Sequence, residues 1–144
     1  MLRVLTIGQL SKETQCKVPT IRYYEEIGLM PLPSRTAGNQ RRYGPEHVTR
    51  LGFIQHCREL GFRQDAIRDL LNLTMRPSQS CEAVTEIAQT RLNEVNQRMA
   101  RLAALKSELE RMIDVCGGGQ IDECRIMETL RNRSRDNVGA SDQR

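Results

Sequence analysis

Pro19-Thr-Ile-Arg-Tyr-Tyr-Glu-Glu-Ile-Gly28 reads as a short helix carrying its own start and stop signals. Proline is tolerated at a first helical position, where its missing N–H orphans nothing, and glycine just past the end supplies a left-handed turn. Upstream, Thr6 can cap a helix over about Ile7 to Gln15 that turns Leu10 inward. The link Thr14-Gln-Cys-Lys-Val18 is tight. Two short helices joined in this way predict a helix-turn-helix, whose second helix enters the major groove of DNA. Thr20, Arg22, Tyr23 and Tyr24 are its exposed and half-exposed groups and so its candidate DNA contacts.

Downstream, Met30-Pro-Leu-Pro-Ser-Arg35-Thr-Ala-Gly38-Asn39-Gln-Arg41-Arg42-Tyr43 places two prolines before Gly-Asn turn chemistry and a basic-aromatic strand. Behind a helix-turn-helix this predicts a hairpin wing rather than a solvated basic loop. Arg35, Arg41 and Arg42 suit phosphates, Asn39 lies at the turn of the same face, and Tyr43 packs or donates a hydrogen bond. A helix over about Pro45 to Leu60 follows, with Val48, Leu51, Phe53, Ile54 and Cys57 apolar, and Gly61 ends it. A shorter helix carries Ile67, Leu70 and Leu71 and is expected to couple the reading head to what comes next.

Charge supports this division. Through Met75 the chain has 11 Lys and Arg against 7 Asp and Glu, and the remainder has 11 against 11, so the surplus of +4 lies in the first half. The absence of a long apolar run and of a signal-peptide core predicts a cytoplasmic protein with no membrane partner. In that compartment five cysteines point to metal binding, redox chemistry or simple burial rather than disulfides. An enzyme is not expected: no Cys-x-x-Cys or Cys–His partnership is evident, and an iron–sulfur cluster would want four grouped cysteines.

After the break at Met75-Arg-Pro77-Ser-Gln-Ser80, no Gly or Pro occurs from Cys81 to Val115. Ala88, Leu92, Val95, Met99, Leu102, Leu105, Leu109, Met112 and Cys116 form one heptad-like apolar stripe. Such a helix cannot bury its stripe alone and asks for a second copy. Beyond it, Cys116-Gly-Gly-Gly-Gln-Ile-Asp-Glu-Cys124 sets two thiols around a glycine-rich acidic loop, followed by a short amphipathic helix with Ile126, Met127 and Leu130. Cys81 and Cys116 lie about 52 Å apart along one helix at 1.5 Å per residue. An antiparallel pair would instead set Cys81 of one subunit beside Cys116 and Cys124 of the other. Three thiolates favour soft ions, and Asp122 and Glu123 could support them or add a fourth ligand. Cys16 and Cys57 read as small buried hydrophobes, and His47 and His56 as packing or surface residues.

The ordered set Thr6-Ile-Gly-Gln-Leu, Thr20-Ile-Arg-Tyr-Tyr-Glu25, Gly28-Leu29, Arg35, Arg41-Arg42-Tyr43, Leu60-Gly-Phe62, long helix and two-cysteine loop resembles the MerR family of transcription regulators, over about residues 4 to 131. The resemblance implies a mainly α homodimer: winged helix-turn-helix heads joined by a long dimerisation helix in an antiparallel coiled coil. With it, residues 1–75 read as DNA binding and coupling, 81–115 as dimerisation and 116–131 as the metal loop and last helix, while the polar composition of 132–144 predicts a disordered tail. It further implies that the dimer distorts double-stranded promoter DNA so that RNA polymerase can start, a reading through shape as well as base contacts. Arg22, Tyr24, Arg35, Arg41 and Tyr43 match DNA-contacting positions of the family, while Gln40 departs from its usual aromatic. Cys81 resembles the sensors of divalent zinc, cadmium, lead or mercury. The seven-residue interval between Cys116 and Cys124 resembles the copper, silver and gold branch. Three thiolates with no loop histidine suit cadmium, lead or mercury, whereas zinc would want a fourth donor. A thiol redox or electrophile sensor on the same scaffold is the remaining alternative.

Overall fold

In this computed structural model residues 3–140 are described, with side chains through residue 132. They group into two compact units, Met1–Arg91 and Leu92–Arg144. The fold is mainly helical, with a small two-stranded wing.

The first unit opens with α1 (Ile7–Thr14), held at its start by a reciprocal cap. The Gln9 N–H donates to Thr6 Oγ1 at 3.2 Å, and the Thr6 N–H donates to Gln9 Oε1 at 2.9 Å. Two of the N–H groups that a helix start leaves unpaired are thereby satisfied. Gln15 then adopts φ 58°, which stops the helix at Thr14 and turns the chain. The next helix, α2 (Val18–Glu26), begins one residue earlier than the proline signal suggests. Pro19 stands second in the helix, where its missing N–H still costs nothing. Gly28, at φ 78°, closes the helix in the left-handed region.

The wing pairs β1 (Ser34–Arg35) with β2 (Arg41–Arg42), antiparallel, with Ser34 opposite Arg42 and Arg35 opposite Arg41. Asn39, at φ 64°, makes the turn. Tyr43 extends the pairing by a bridge to Leu5, exchanging backbone hydrogen bonds at 2.8 and 2.9 Å. The helices α3 (Pro45–Glu59) and α4 (Gln64–Thr74) complete a core in which Leu10, Ile21, Leu29, Tyr43, Leu51, Ile54 and Ile67 are fully buried. Cys16 and Cys57 join this core, and burial pushes both thiols above their ordinary pKa. His47 is buried as well, its ring meeting that of Tyr43 edge-on at 5.2 Å. Its Nδ1 accepts the Gly44 N–H at 3.0 Å. His56 is exposed.

A single helix, α5 (Glu82–Val115), starts within the first unit and supplies the second. Inside the first unit, Arg91 Nε donates to the Leu60 carbonyl at 2.9 Å, which ties α5 to the end of α3. In the second unit a turn of 3-10 helix, Ile121–Glu123, leads into α6 (Arg125–Ala140). This last helix is longer than the sequence suggests. It continues through residues 132–140, where a disordered tail is expected, and residues 141–144 of that tail lie outside the described residues. The stretch Arg131-Asn-Arg-Ser-Arg-Asp-Asn-Val138 holds no Gly or Pro, so each of these residues costs the helix only a few tenths of a kcal/mol, and Gly139 near its end about 1 kcal/mol. No helix among the described residues is long and apolar enough to cross a membrane.

Candidate nucleic-acid interface and thiol site

On α2, Arg22 is exposed, Tyr23 is about half-exposed and Thr20 is partly so. Tyr24 differs from its expected exposure. It is turned into the core, and its phenol is pushed up first by burial. Helical periodicity explains this, since Tyr24 shares the inward face with Ile21. Two arginines secure the end of α2 from below. Arg50 Nε donates to the Leu29 carbonyl at 2.6 Å, and Arg68 Nη2 donates to the Ile27 carbonyl at 2.5 Å. Arg68 satisfies a carbonyl that the helix end leaves open, Arg50 one in the turn just beyond it, and together they link the end of α2 to both α3 and α4.

On the wing, Arg35 and Asn39 are exposed, and Arg35 Nη1 donates to Asn39 Oδ1 at 3.2 Å. Arg41 and Arg42 are half-exposed. Tyr43, expected among the DNA contacts, is fully buried and cannot reach a phosphate. Its hydroxyl donates to Glu25 Oε1 at 2.6 Å, and Arg41 Nη1 lies 3.4 Å from Glu25 Oε2. Strand alternation puts residues 41 and 43 on one face, here turned to α2. Burial, then the hydrogen bond to Glu25, pushes the Tyr43 phenol up to about 12. Glu25, Arg50 and Arg68 escape a reading of motifs. The one local hint is a carboxylate in phase with Ile21, on the inward face of a DNA-reading helix.

In the second unit, Cys116 Sγ and Cys124 Sγ stand 3.9 Å apart. Gly118 and Gly119, at φ 78° and 103°, supply the left-handed backbone that lets the loop return so sharply. Cys124 sits just before α6 and takes the place of an N-cap. Its pKa is lowered, first by the backbone N–H of Met127, then by that of Ile126, by the Cys116 thiol and by the Arg131 charge, against some desolvation. Helix-start N–H groups favour an anion, so this thiol is readied as a thiolate.

A metal with bonds of about 2.3 Å to both sulfurs would subtend an S–metal–S angle of about 116° at this separation. That lies between tetrahedral and trigonal values; a linear site would need about 4.6 Å between the sulfurs. The pair therefore fits a three- or four-coordinate soft ion. Cys81, exposed ahead of α5, is separated from Cys116 by the 34 residues of that helix. Asp122 and Glu123 are exposed in the 3-10 turn. Among the described residues no three His, Cys, Asp or Glu side chains converge, and the loop brings two thiols together.

Two family models match the chain: "MerR HTH family regulatory protein" over residues 5–74 and "MerR, DNA binding" over residues 48–112. It is 43% identical to the HTH-type transcriptional regulator ZntR homolog of Haemophilus influenzae, over 73% of this chain and 78% of that protein. To the regulator CueR of Vibrio cholerae it is 35% identical, over 88% and 91%. Among solved structures it resembles the transcription regulator PbrR691 from Ralstonia metallidurans CH34 in complex with lead(II). That match has a TM-score of 0.78 and 39% identity, over 88% of this chain and 98% of that one.

Proposed function

The chain belongs to the MerR family, a DNA-binding, metal-responsive transcriptional regulator and not an enzyme, and on that premise we propose that it senses a soft divalent ion, zinc, cadmium, lead or mercury. Cys116 and Cys124 of one subunit and Cys81 of its partner would hold the ion in a cytoplasmic homodimer. The observation that carries this reading is the loop pair at 3.9 Å, which matches the angle of a three- or four-coordinate site and meets no third His, Cys, Asp or Glu donor among the described residues. The lead(II) complex of PbrR691 supports the same class of ion. Such an ion supplies one cross-link among thiolates from two chains.

The stripe Leu92, Met99, Leu102, Leu105 and Leu109 is about half-exposed or more along α5. We take it as the seam of an antiparallel pair, since only that orientation brings Cys81 to the partner's loop. Residues 1–75 would read DNA, 81–115 dimerise and 116–131 sense. Thr20, Arg22 and Tyr23 would face the major groove, while Arg35, Asn39, Arg41 and Arg42 would hold the backbone. Asp122 and Glu123 would tune the site's charge. The output would be a distorted promoter from which RNA polymerase starts transcription of metal-resistance or efflux genes.

A second reading, a monovalent copper, silver or gold sensor, is favoured by the fact that the loop pair alone meets within one chain. Cys81→Ser separates the two. For a three-thiol divalent site, cadmium or lead affinity of the reduced protein should fall by about 100-fold and copper(I) affinity by less than tenfold. Equal retention of both would remove Cys81 from the site. Promoter induction by peroxide in the presence of chelators would favour a redox sensor instead.

A further inference from the structure

Glu25 is a carboxylate whose side chain is only 5% exposed, on the very helix that enters DNA. Taking a carboxylate out of water is costly unless it is paired, and an apolar residue of similar size commonly serves stability as well. The best-attested use of such a buried pair is to fix register. Here both oxygens are engaged by the wing. Oε1 accepts the Tyr43 hydroxyl, and Oε2 faces Arg41. The two donors are two residues apart on one strand face, so a single carboxylate sets how that strand meets α2.

The Arg41 side chain remains 36% exposed. It is a cation on a short tether, partly neutralised by the acid behind it. We propose that Glu25 is a positioning and specificity-determining residue: it aims Arg41 along the wing and withholds part of its charge from phosphates in other positions. Non-specific duplex DNA is bound almost wholly through such charge. An acid behind the wing therefore weakens binding to the wrong DNA more than to a duplex whose backbone passes where Arg41 is aimed. The proposal rests on Arg41 being a backbone contact.

The test uses Glu25→Gln, which keeps the shape and still accepts the Tyr43 hydroxyl. The full-length protein is titrated with a mixed-sequence duplex, and with a duplex selected by the unaltered protein from a randomised pool, across a salt series. Affinity for mixed-sequence DNA should rise, its salt slope should steepen by up to about 0.9, and the selected-to-mixed ratio should fall several-fold. In an Arg41→Ala background, Glu25→Gln should change neither slope nor ratio; a merely structural role would give the same loss in both backgrounds. Unchanged slope and ratio in a folded Glu25→Gln protein overturn the proposal. If Arg41→Ala alone leaves affinity intact, the wing contact is what fails. Should Glu25→Gln not fold, Tyr43→Phe keeps the question open to refutation. It leaves the Arg41 pairing in place and should lower the ratio without steepening the slope, and a steepened slope there would contradict the assignment.

Discussion

Leu10, Ile21, Ile54 and Ile67 in the first unit are wholly buried, whereas Met99, Leu102 and Leu105 in the second are 62%, 59% and 53% exposed. The residue types are alike, and the environment differs because of geometry. Four short helices and a wing bury one another's apolar faces, while the long α5 buries only Met112 among its described residues. The contrast separates a head that buries its apolar residues from a long helix whose stripe stays exposed. The same division holds for the thiols: Cys16 and Cys57 are packed away, and Cys116 and Cys124 face each other, partly exposed, across a turn.

The sharpest way to break this contrast is Leu102→Glu. In the proposed antiparallel dimer each leucine covered at the seam would contribute about 2 kcal/mol, and a symmetric pair loses two. The dimer should weaken by about 4 kcal/mol, or roughly a thousandfold in Kd. Sedimentation should show monomers, while circular dichroism of the head persists. A dimer that survives the charge at unchanged concentration would mean the stripe is covered in some other way.

The complement is a change confined to the head. Arg68→Met removes the donor to the Ile27 carbonyl but keeps most of the packing. A hydrogen bond from a charged donor is worth about 1.5–3 kcal/mol, so chemical denaturation should show a loss of about 2 kcal/mol. Thiol stoichiometry for cadmium should stay as it was. Were metal binding to fall equally, the two units would not be separable in this sense.

Much of the head is legible in the sequence because its signals are local. Thr6, Pro19, Gly28 and Gly61 each declare an end of a helix through chemistry within a few residues. The stripe on α5 is legible for the same reason, through its spacing. What is hidden depends on distance along the chain. Glu25 meets Arg41 and Tyr43 across 16 and 18 residues, and only the folded wing reveals that Tyr43 supports rather than touches DNA. Tyr24 is misjudged because its motif draws attention to all four residues, although helical phase turns it inward with Ile21. The loop lies between these cases. Two thiols nine positions apart, counting both, suggest a site, but the readied state of Cys124 depends on where α6 begins.

That last point gives the smallest expected effect and the finest comparison between the units. The Cys124 thiol has its pKa below the ordinary value of 9.0, mainly because the Met127 N–H points at it. A lowered pKa means a larger thiolate fraction at any pH below 9. Alkylation of metal-free, reduced protein should therefore have a midpoint at Cys124 below that of a free thiol, followed residue by residue with mass spectrometry. Burial moves Cys57 the other way, so its thiolate is scarcer at the same pH and its labelling should wait for unfolding. Substituting Met127 by proline deletes the N–H that ranks first among the causes. The Cys124 midpoint should then rise, while Cys57 is unaffected. An unchanged midpoint would mean that the Met127 N–H does not ready this thiolate, leaving the Ile126 N–H, the Cys116 thiol and the Arg131 charge as its sources.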